Sequence, residues 1–143
     1  MLLQRHRLTL RTTAPIAFVD LTAEVGAWVR ASGVRDGLLT VTTQHTTARL
    51  TVNEREARLQ DDMGRFLAQL APAGGPYRHN EETVDGRPNA HAHLLGLLLS
   101  ATETIPVVGG ALQLGAWQAL FLVELDGPRP ERSVHLQVMG TAA

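Results

Sequence analysis

Two kinds of hydrophobic pattern alternate along this chain, and their order limits it to few folds. Apolar residues recur at helical spacing in three segments; short runs of β-branched and apolar residues, bounded by glycine and proline, lie between and after them. Residues 4–12 read as a first strand. Leu21, Val25, Trp28 and Val29 then fall at helical spacing, with Asp20 as N-cap and Gly33 as the stop. Residues 37–43 and 48–52 read as strands. Leu59, Met63, Phe66, Leu67 and Leu70 mark an amphipathic helix closed by Pro72 and Gly74-Gly75. Residues 74–88 form a polar, turn-rich loop near the upper length for an unstructured connection, and loops of that length are more often functional. Asn89 caps a third helix over residues 90–100, whose leucines (Leu94, Leu95, Leu97, Leu98 and Leu99) surround much of its axis and predict deep burial. Strands over 103–108, 111–125 (bent at Gly115) and 132–139 close the chain, with Gly109-Gly110 as a hairpin turn. Segregated helices and mostly hairpin-linked strands predict an α+β fold rather than a doubly wound sheet. A length of 143 residues predicts a single domain over 1–143, able to bury about two thirds of its unfolded surface.

What the chain lacks narrows its chemistry. It has no cysteine, which excludes disulfides, thiolate nucleophiles and thiolate metal sites. All 13 basic residues are arginine, so Schiff-base chemistry and a Walker-type lysine are excluded too. The only serines are Ser32, Ser100 and Ser133, none in a G-x-S-x-G setting, which argues against serine hydrolysis. A net charge of −1 gives no general attraction for nucleic acid. No apolar run approaches the length of a membrane span, and no secretory signal is expected. Six histidines, fourteen carboxylates and the arginines remain.

The strongest local signal is Gln44-His45-Thr46-Thr47-Ala48 followed by Thr51-Val52-Asn53-Glu54. His45 ends one predicted strand and Glu54 the next; a hairpin would hold them apart, whereas a folded-over crossover could join them, and either connection fits the sequence. A second signal is Tyr77-Arg78-His79-Asn80 in the long loop, and a third is Asn89-Ala90-His91-Ala92-His93. On a helix His91 and His93 stand about 200° apart, so only one can face a given metal. His93 shares a face with Leu97, while His91 falls in the exposed first turn. His45, His79 and His93, separated by 34 and 14 residues, would then form a three-imidazole cluster from strand, loop and helix. Such a set suits Zn²⁺, and also Fe²⁺, Mn²⁺ or Ni²⁺. Glu54, Asp61 or Asp62 could act as second partner or general base. In Gly115-Ala116-Trp117-Gln118, one of Trp117 and Gln118 is expected to be buried. Arg129 and Arg132 sit on a turn where they could clamp a phosphate, and His6 and His135 read as surface residues.

The strings H-T-T-A-x-L-T-V-N-E, D-D-M, Y-x-H-N, N-A-x-A-H-L, I-P-V, G-x-L-x-L-G-x-W-Q and D-G-P-R-x-x-R occur in one order. Together they resemble the YjbQ family, also called UPF0047 or the secondary thiamine-phosphate synthase family, over nearly the whole chain. The resemblance implies a compact α+β fold, a ring-shaped homotrimer and a cytoplasmic bacterial or archaeal protein. It also implies a thiamine-phosphate-synthase activity, in which a thiazole phosphate nitrogen attacks a pyrimidine diphosphate and pyrophosphate leaves. By position it carries over Glu54, Asp62 and Gln118 as catalytic residues, and Asn89, Trp117, Arg129 and Arg132 as substrate-binding residues. His45, His79 and His93 match motif positions as well and would hold a divalent metal, with zinc the expected ion. A three-imidazole site fits hydrolysis or lyase chemistry better than that transfer, which relies on Mg²⁺ and its oxygen ligands. The expectation is therefore a metal-dependent enzyme acting on a phosphorylated small molecule, either a synthase-like transferase or a hydrolase. The alternative is a non-catalytic trimer that binds a metal or small ligand.

Overall fold

The computed structural model describes residues 1–142. In chain order the elements are β1 (Leu2–Thr12), β2 (Ala17–Asp20), α1 (Thr22–Ala31), β3 (Val34–Thr42), β4 (Ala48–Glu54), α2 (Ala57–Leu70), α3 (Ala90–Gly96), β5 (Thr102–Val108), β6 (Ala111–Leu112), β7 (Gln118–Glu124) and β8 (Arg129–Ala142), with a 3₁₀ turn at Arg78–Asn80. Five strands form one sheet in the order β1-β8-β3-β5-β6, and three form a second in the order β2-β7-β4. Every pairing between named strands is antiparallel. The fold is α+β, as the segregation of helices and strands predicts.

The two sheets pack face to face. Leu39, Val41, Val134, Leu136 and Val138 of the large sheet meet Leu50, Leu120 and Leu122 of the small one, and Val25 and Val29 of α1 close the same core. A second core lies on the other side of the small sheet. There Phe121, Val123 and Leu125 pack against Leu67 of α2 and Ala92 and Leu95 of α3. β7 is thus buried on both faces, which is why Ala119 to Val123 is an unbroken apolar run rather than an alternating one. The resulting layers are large sheet, small sheet and helices, and the outer face of the large sheet carries exposed Leu3, Leu38 and Met139.

Several expectations shift. The predicted strand over 111–125 is two strands, β6 and β7, joined through an exposed Gly115-Ala116-Trp117 segment. Trp117 is 75% exposed and Gln118 is exposed as well, so neither is buried; the Gln118 Oε1 accepts the Gly115 N–H at 2.8 Å and shapes the turn. The short strand β2 was not expected. It is an edge strand of only four residues, too short for periodicity to register. Asp20 stands one residue before the N-cap Leu21, yet its Oδ1 accepts the Thr22 N–H at 2.9 Å and so serves the helix start. The third helix stops at Gly96 rather than Ser100. The chain then turns so that Ser100 bridges Leu50, leaving Leu94, Leu97 and Leu98 exposed and only Leu95 fully buried. Gly109 and Gly110 do make the β5–β6 turn, both at positive φ.

Phe121 is the largest fully buried side chain. Phe121→Ala is expected to lower unfolding free energy by about 3–5 kcal/mol, read from urea denaturation midpoints.

Candidate functional site

The segment between β3 and β4 crosses from the large sheet to the small one. It is a crossover rather than a hairpin, and it carries His45 to the junction between the sheets. Beneath it lies a buried ion pair. Glu124, at the end of β7 and 0% exposed, accepts from Arg132 of β8 through two bonds, Nη2 to Oε1 at 2.5 Å and Nε to Oε2 at 2.8 Å. Thr12 Oγ1 donates to the same carboxylate at 2.7 Å, and the Asp126 N–H at 2.9 Å. Arg132 Nη2 also donates to Thr47 Oγ1 at 3.0 Å. Burial by itself would raise the Glu124 carboxyl, but the bonds from Arg132 and Thr12 outweigh it and hold the group below its ordinary range.

His45 is held from the other side of β8. Its Nε2 accepts the Ser133 backbone N–H at 3.0 Å. A backbone N–H can only donate, so the neutral ring carries its hydrogen on Nδ1, and the Nε2 lone pair is engaged. Burial, then the Arg132 charge, push His45 below the usual imidazole range.

A second relay orients His79. The turn after β7 presents Asp126, whose Oδ2 accepts from Arg129 Nη2 at 2.7 Å, Asn89 Nδ2 at 2.8 Å and Arg87 Nε at 3.1 Å. Burial would raise its carboxyl; the bonds from Asn89, Arg129 and Arg87 prevail and lower it to about 2. Asn89 therefore turns its amide nitrogen to Asp126 and its Oδ1 to His79 Nε2, 3.1 Å away. That arrangement makes Nε2 the protonated nitrogen of His79 and leaves a lone pair on Nδ1. Asn89 sits at the N-cap of α3 but makes no capping bond with its side chain. Asn80 of the long loop takes that role instead, its Oδ1 accepting the Ala90 N–H at 3.1 Å.

His93, one turn into α3, meets His79 edge to face with ring centroids 4.9 Å apart. Burial, then the neighbouring His79, lower its pKa. His93 stands between two cavities. One, of ≈290 Å³, is polar and is lined by His45, Thr47, Asp85, Asn89, Arg129 and Arg132 as well as His93. The other, of ≈550 Å³, is mainly apolar and is lined by Pro76, Tyr77, Ala90 and Leu94 together with Arg78, His79 and His93. Arg49 lies near enough for its charge to act on His93, and its Nε is buried beside Gly96 with no hydrogen-bond partner.

The other expected site residues lie elsewhere in the chain. Glu54 pairs with Gln118 at the far end of β4 and β7. Six strand steps from Ala48 put it about 20 Å from the crossover. Trp117 is at that same end, and Asp62 is on the exposed side of α2. None of the four lines the histidine cavities. His91 is half-buried rather than exposed, with its Nδ1 buried and unpartnered. Among the described residues, no three His, Cys, Asp or Glu side chains gather closely enough to hold a metal ion. A three-imidazole centre does not fit this arrangement: His79 and His93 meet, but the Nε2 lone pair of His45 is taken by Ser133. Asp126, Arg87 and Glu124 belong to the site and were not singled out from sequence, although Asp126 opens the D-G-P-R string.

A family model described as "UPF0047 protein YjbQ-like" matches residues 6–141. The chain belongs to the YjbQ/UPF0047 family. A UPF0047 protein of Methanothermobacter thermautotrophicus is 38% identical over 135 residues, covering 94% of this chain and 91% of the relative. One from Archaeoglobus fulgidus is 40% identical over 127 residues, covering 89% and 95%. Among solved structures, a YbjQ-like protein of unknown function from Sulfolobus solfataricus superposes with a TM-score of 0.91 at 33% identity, covering 97% of this chain and 98% of that one. A hypothetical protein from Aeropyrum pernix gives 0.89 at 42% identity, covering 96% and 99%. The YjbQ fold is thus shared along essentially the full length, and the two relays lie inside the matched region.

The Asp126 carboxyl moves from 3.8 to about 2 on folding, so its contribution is complete above about pH 4 and is lost as pH falls through 2. That shift corresponds to stabilisation on the order of 2 kcal/mol. Asp126→Asn should lose about that much at pH 7 and show a flatter decline between pH 4 and pH 2, measured by urea denaturation at stepped pH.

Proposed function

We propose that this YjbQ-family chain is an enzyme for a phosphorylated small molecule that also carries a flat apolar part. One observation carries the reading: His93 forms a shared wall between a polar, arginine-lined cavity and an apolar cavity beside Tyr77. Arg49, Arg87, Arg129 and Arg132 surround this region against the carboxylates of Asp85, Glu124 and Asp126, and among the described residues no salt bridge engages Arg49, whose buried Nε has no hydrogen-bond partner. A phosphate in the polar cavity supplies the missing negative charge, with Arg129 as its main side-chain contact. Arg132 is committed to Glu124 and Thr47, so it braces the wall more than it grips a ligand.

The chemistry falls to the imidazoles. His79, its Nε2–H bonded to Asn89, presents Nδ1 as a proton acceptor, and His93, held below the ordinary imidazole range by burial, makes no side-chain hydrogen bond among the described residues. Together they can take a proton from a nucleophile and return one to a leaving group where the phosphate-bearing and ring-bearing parts of the substrate meet. Thiamine-phosphate synthesis joins a ring to a phosphate-bearing partner; its thiazole nitrogen attacks through a lone pair and has no proton to lose, so in that reaction the imidazoles would serve only the departing pyrophosphate. It is the specific reaction to test first.

Assembly as a homotrimer is part of the proposal. Leu97 is 80% exposed, Leu98 63% and Leu94 42%, an apolar cluster at the lip of the Tyr77 cavity that self-association would cover. In such an assembly Glu54, Asp62, Trp117 and Gln118, all exposed and remote from the cavities of their own chain, can complete the site of a neighbouring copy.

His93→Ala should reduce turnover of a phosphorylated substrate about 10²–10⁴-fold while leaving the fold intact. The acid limb of the wild-type pH profile should lie below the ordinary imidazole value of about 6.5, because burial disfavours protonated His93. Unchanged turnover in the variant would leave a binding protein in place of an enzyme. Leu97→Glu should shift sedimentation from trimer to monomer. Mixing His93→Ala with Glu54→Ala subunits should recover activity that neither has alone; if it does not, Glu54 plays no part in a neighbour's site.

A further inference from the structure

The outer face of the large sheet carries a concavity of ≈490 Å³ that the reading above does not use. Its walls follow from register. Arg7 and Thr42 both pair with His135, so these three side chains lie abreast on β1, β8 and β3. Arg5 and Thr40 both pair with Gln137 and form the next row, two residues along and on the same face. Adjacent strands are about 4.8 Å apart and alternate residues about 7 Å, so the six side chains form a patch on the scale of a phosphate or diphosphate.

The patch is rich in donors and poor in acceptors. Arg5 uses Nε on Gln137 Oε1 at 2.8 Å, and Arg7 uses Nη2 on Ser133 Oγ at 3.3 Å. Among the described residues, neither guanidinium makes a further hydrogen bond. Glu131 lies 3.5 Å from Arg7, with both side chains more than half exposed. A pair so exposed contributes little. Ser133 separates this patch from the histidine cavity: its hydroxyl meets Arg7, while its backbone N–H holds His45.

We propose that the Arg5–Arg7–His135 patch is a second anion-binding site, for the phosphate group of a small molecule, behind the same strand that positions His45. Two forked guanidiniums over a concave surface suit a multiply charged phosphate oxyanion. The overall charge of −1 argues against nucleic acid as the occupant. The site stands on its own residues and does not require the enzymatic reading to hold.

Isothermal titration of the full chain with pyrophosphate at low ionic strength tests it. Wild type should bind two equivalents per chain. The double variant Arg5→Gln/Arg7→Gln should lose one of them by at least about tenfold in affinity and keep the other, whereas Arg129→Ala should do the reverse. Loss of the Arg129-dependent equivalent alone in wild type would count against the proposed function and leave this site standing. Should the double variant fail to fold, His135→Gln is titrated in its place, with about a threefold to fivefold weakening expected at this site only. Equal binding by wild type and the double variant overturns the proposal. So does a changed sedimentation coefficient of the double variant, which would mark the face as a contact between copies, or a stronger response to a DNA oligonucleotide than to pyrophosphate.

Discussion

The buried Glu124–Arg132 pair is the interaction on which the rest of the architecture hangs. It ties the end of β7 to the start of β8 and takes a third bond from Thr12 of β1 and a fourth from the backbone at Asp126. Through Thr47 it also anchors the crossover between the two sheets. A charge pair removed from water this completely holds only when its hydrogen-bonding capacity is met, and removing one partner of such a pair typically costs about 3–5 kcal/mol. Everything chemically useful is placed by what surrounds it. The Thr47 bond sets the crossover that carries His45, and the Asp126 N–H bond sets the turn that carries the second relay.

That second relay has a different purpose. Asp126 collects two guanidiniums and an amide, and the amide in turn fixes the proton of His79. A long polar loop would ordinarily leave its histidine to solvent. Here a side chain from the start of α3 and a carboxylate from another turn hold one tautomer, while Asn80 of the same loop caps α3. Loop and helix therefore stabilise each other, and the imidazole pair forms at their contact. His93 then needs no hydrogen bond to be placed; backbone helix geometry and the His79 ring suffice.

Much of this was legible in the residues. The helical spacing of Leu59 to Leu70 and the Gly109-Gly110 turn lead directly to α2 and the β5–β6 hairpin. The choice of His93 over His91 follows from helix phase, since the two stand about 200° apart on α3; the meeting of His93 with the loop residue His79 does not. The leucines after His93 misled, because spacing reports which side chains are apolar and not whether anything lies against them; Leu97 and Leu98 have no cover from their own chain. Asp126 and Glu124 carry no local signal, since an acidic residue in a turn or at a strand end has many uses, and only a three-dimensional count of donors singles them out. Glu54 and Gln118 are adjacent in register yet far from the histidines, because β4 runs away from the crossover for its whole length and puts Glu54 at its far end.

The sequence by itself determined the class of fold, the absence of thiol, lysine and serine-elbow chemistry, and which imidazoles could share a face. These depend on residue type and on short-range periodicity, both of which are local. Only the tertiary structure decided that the His45 lone pair is occupied by Ser133 and that His79 is held through Asn89 by Asp126. It alone placed His93 between a polar and an apolar cavity. The first two outcomes rest on hydrogen-bond partners 10 to 88 residues away, whose directions are set by sheet register and crossover and by no local pattern.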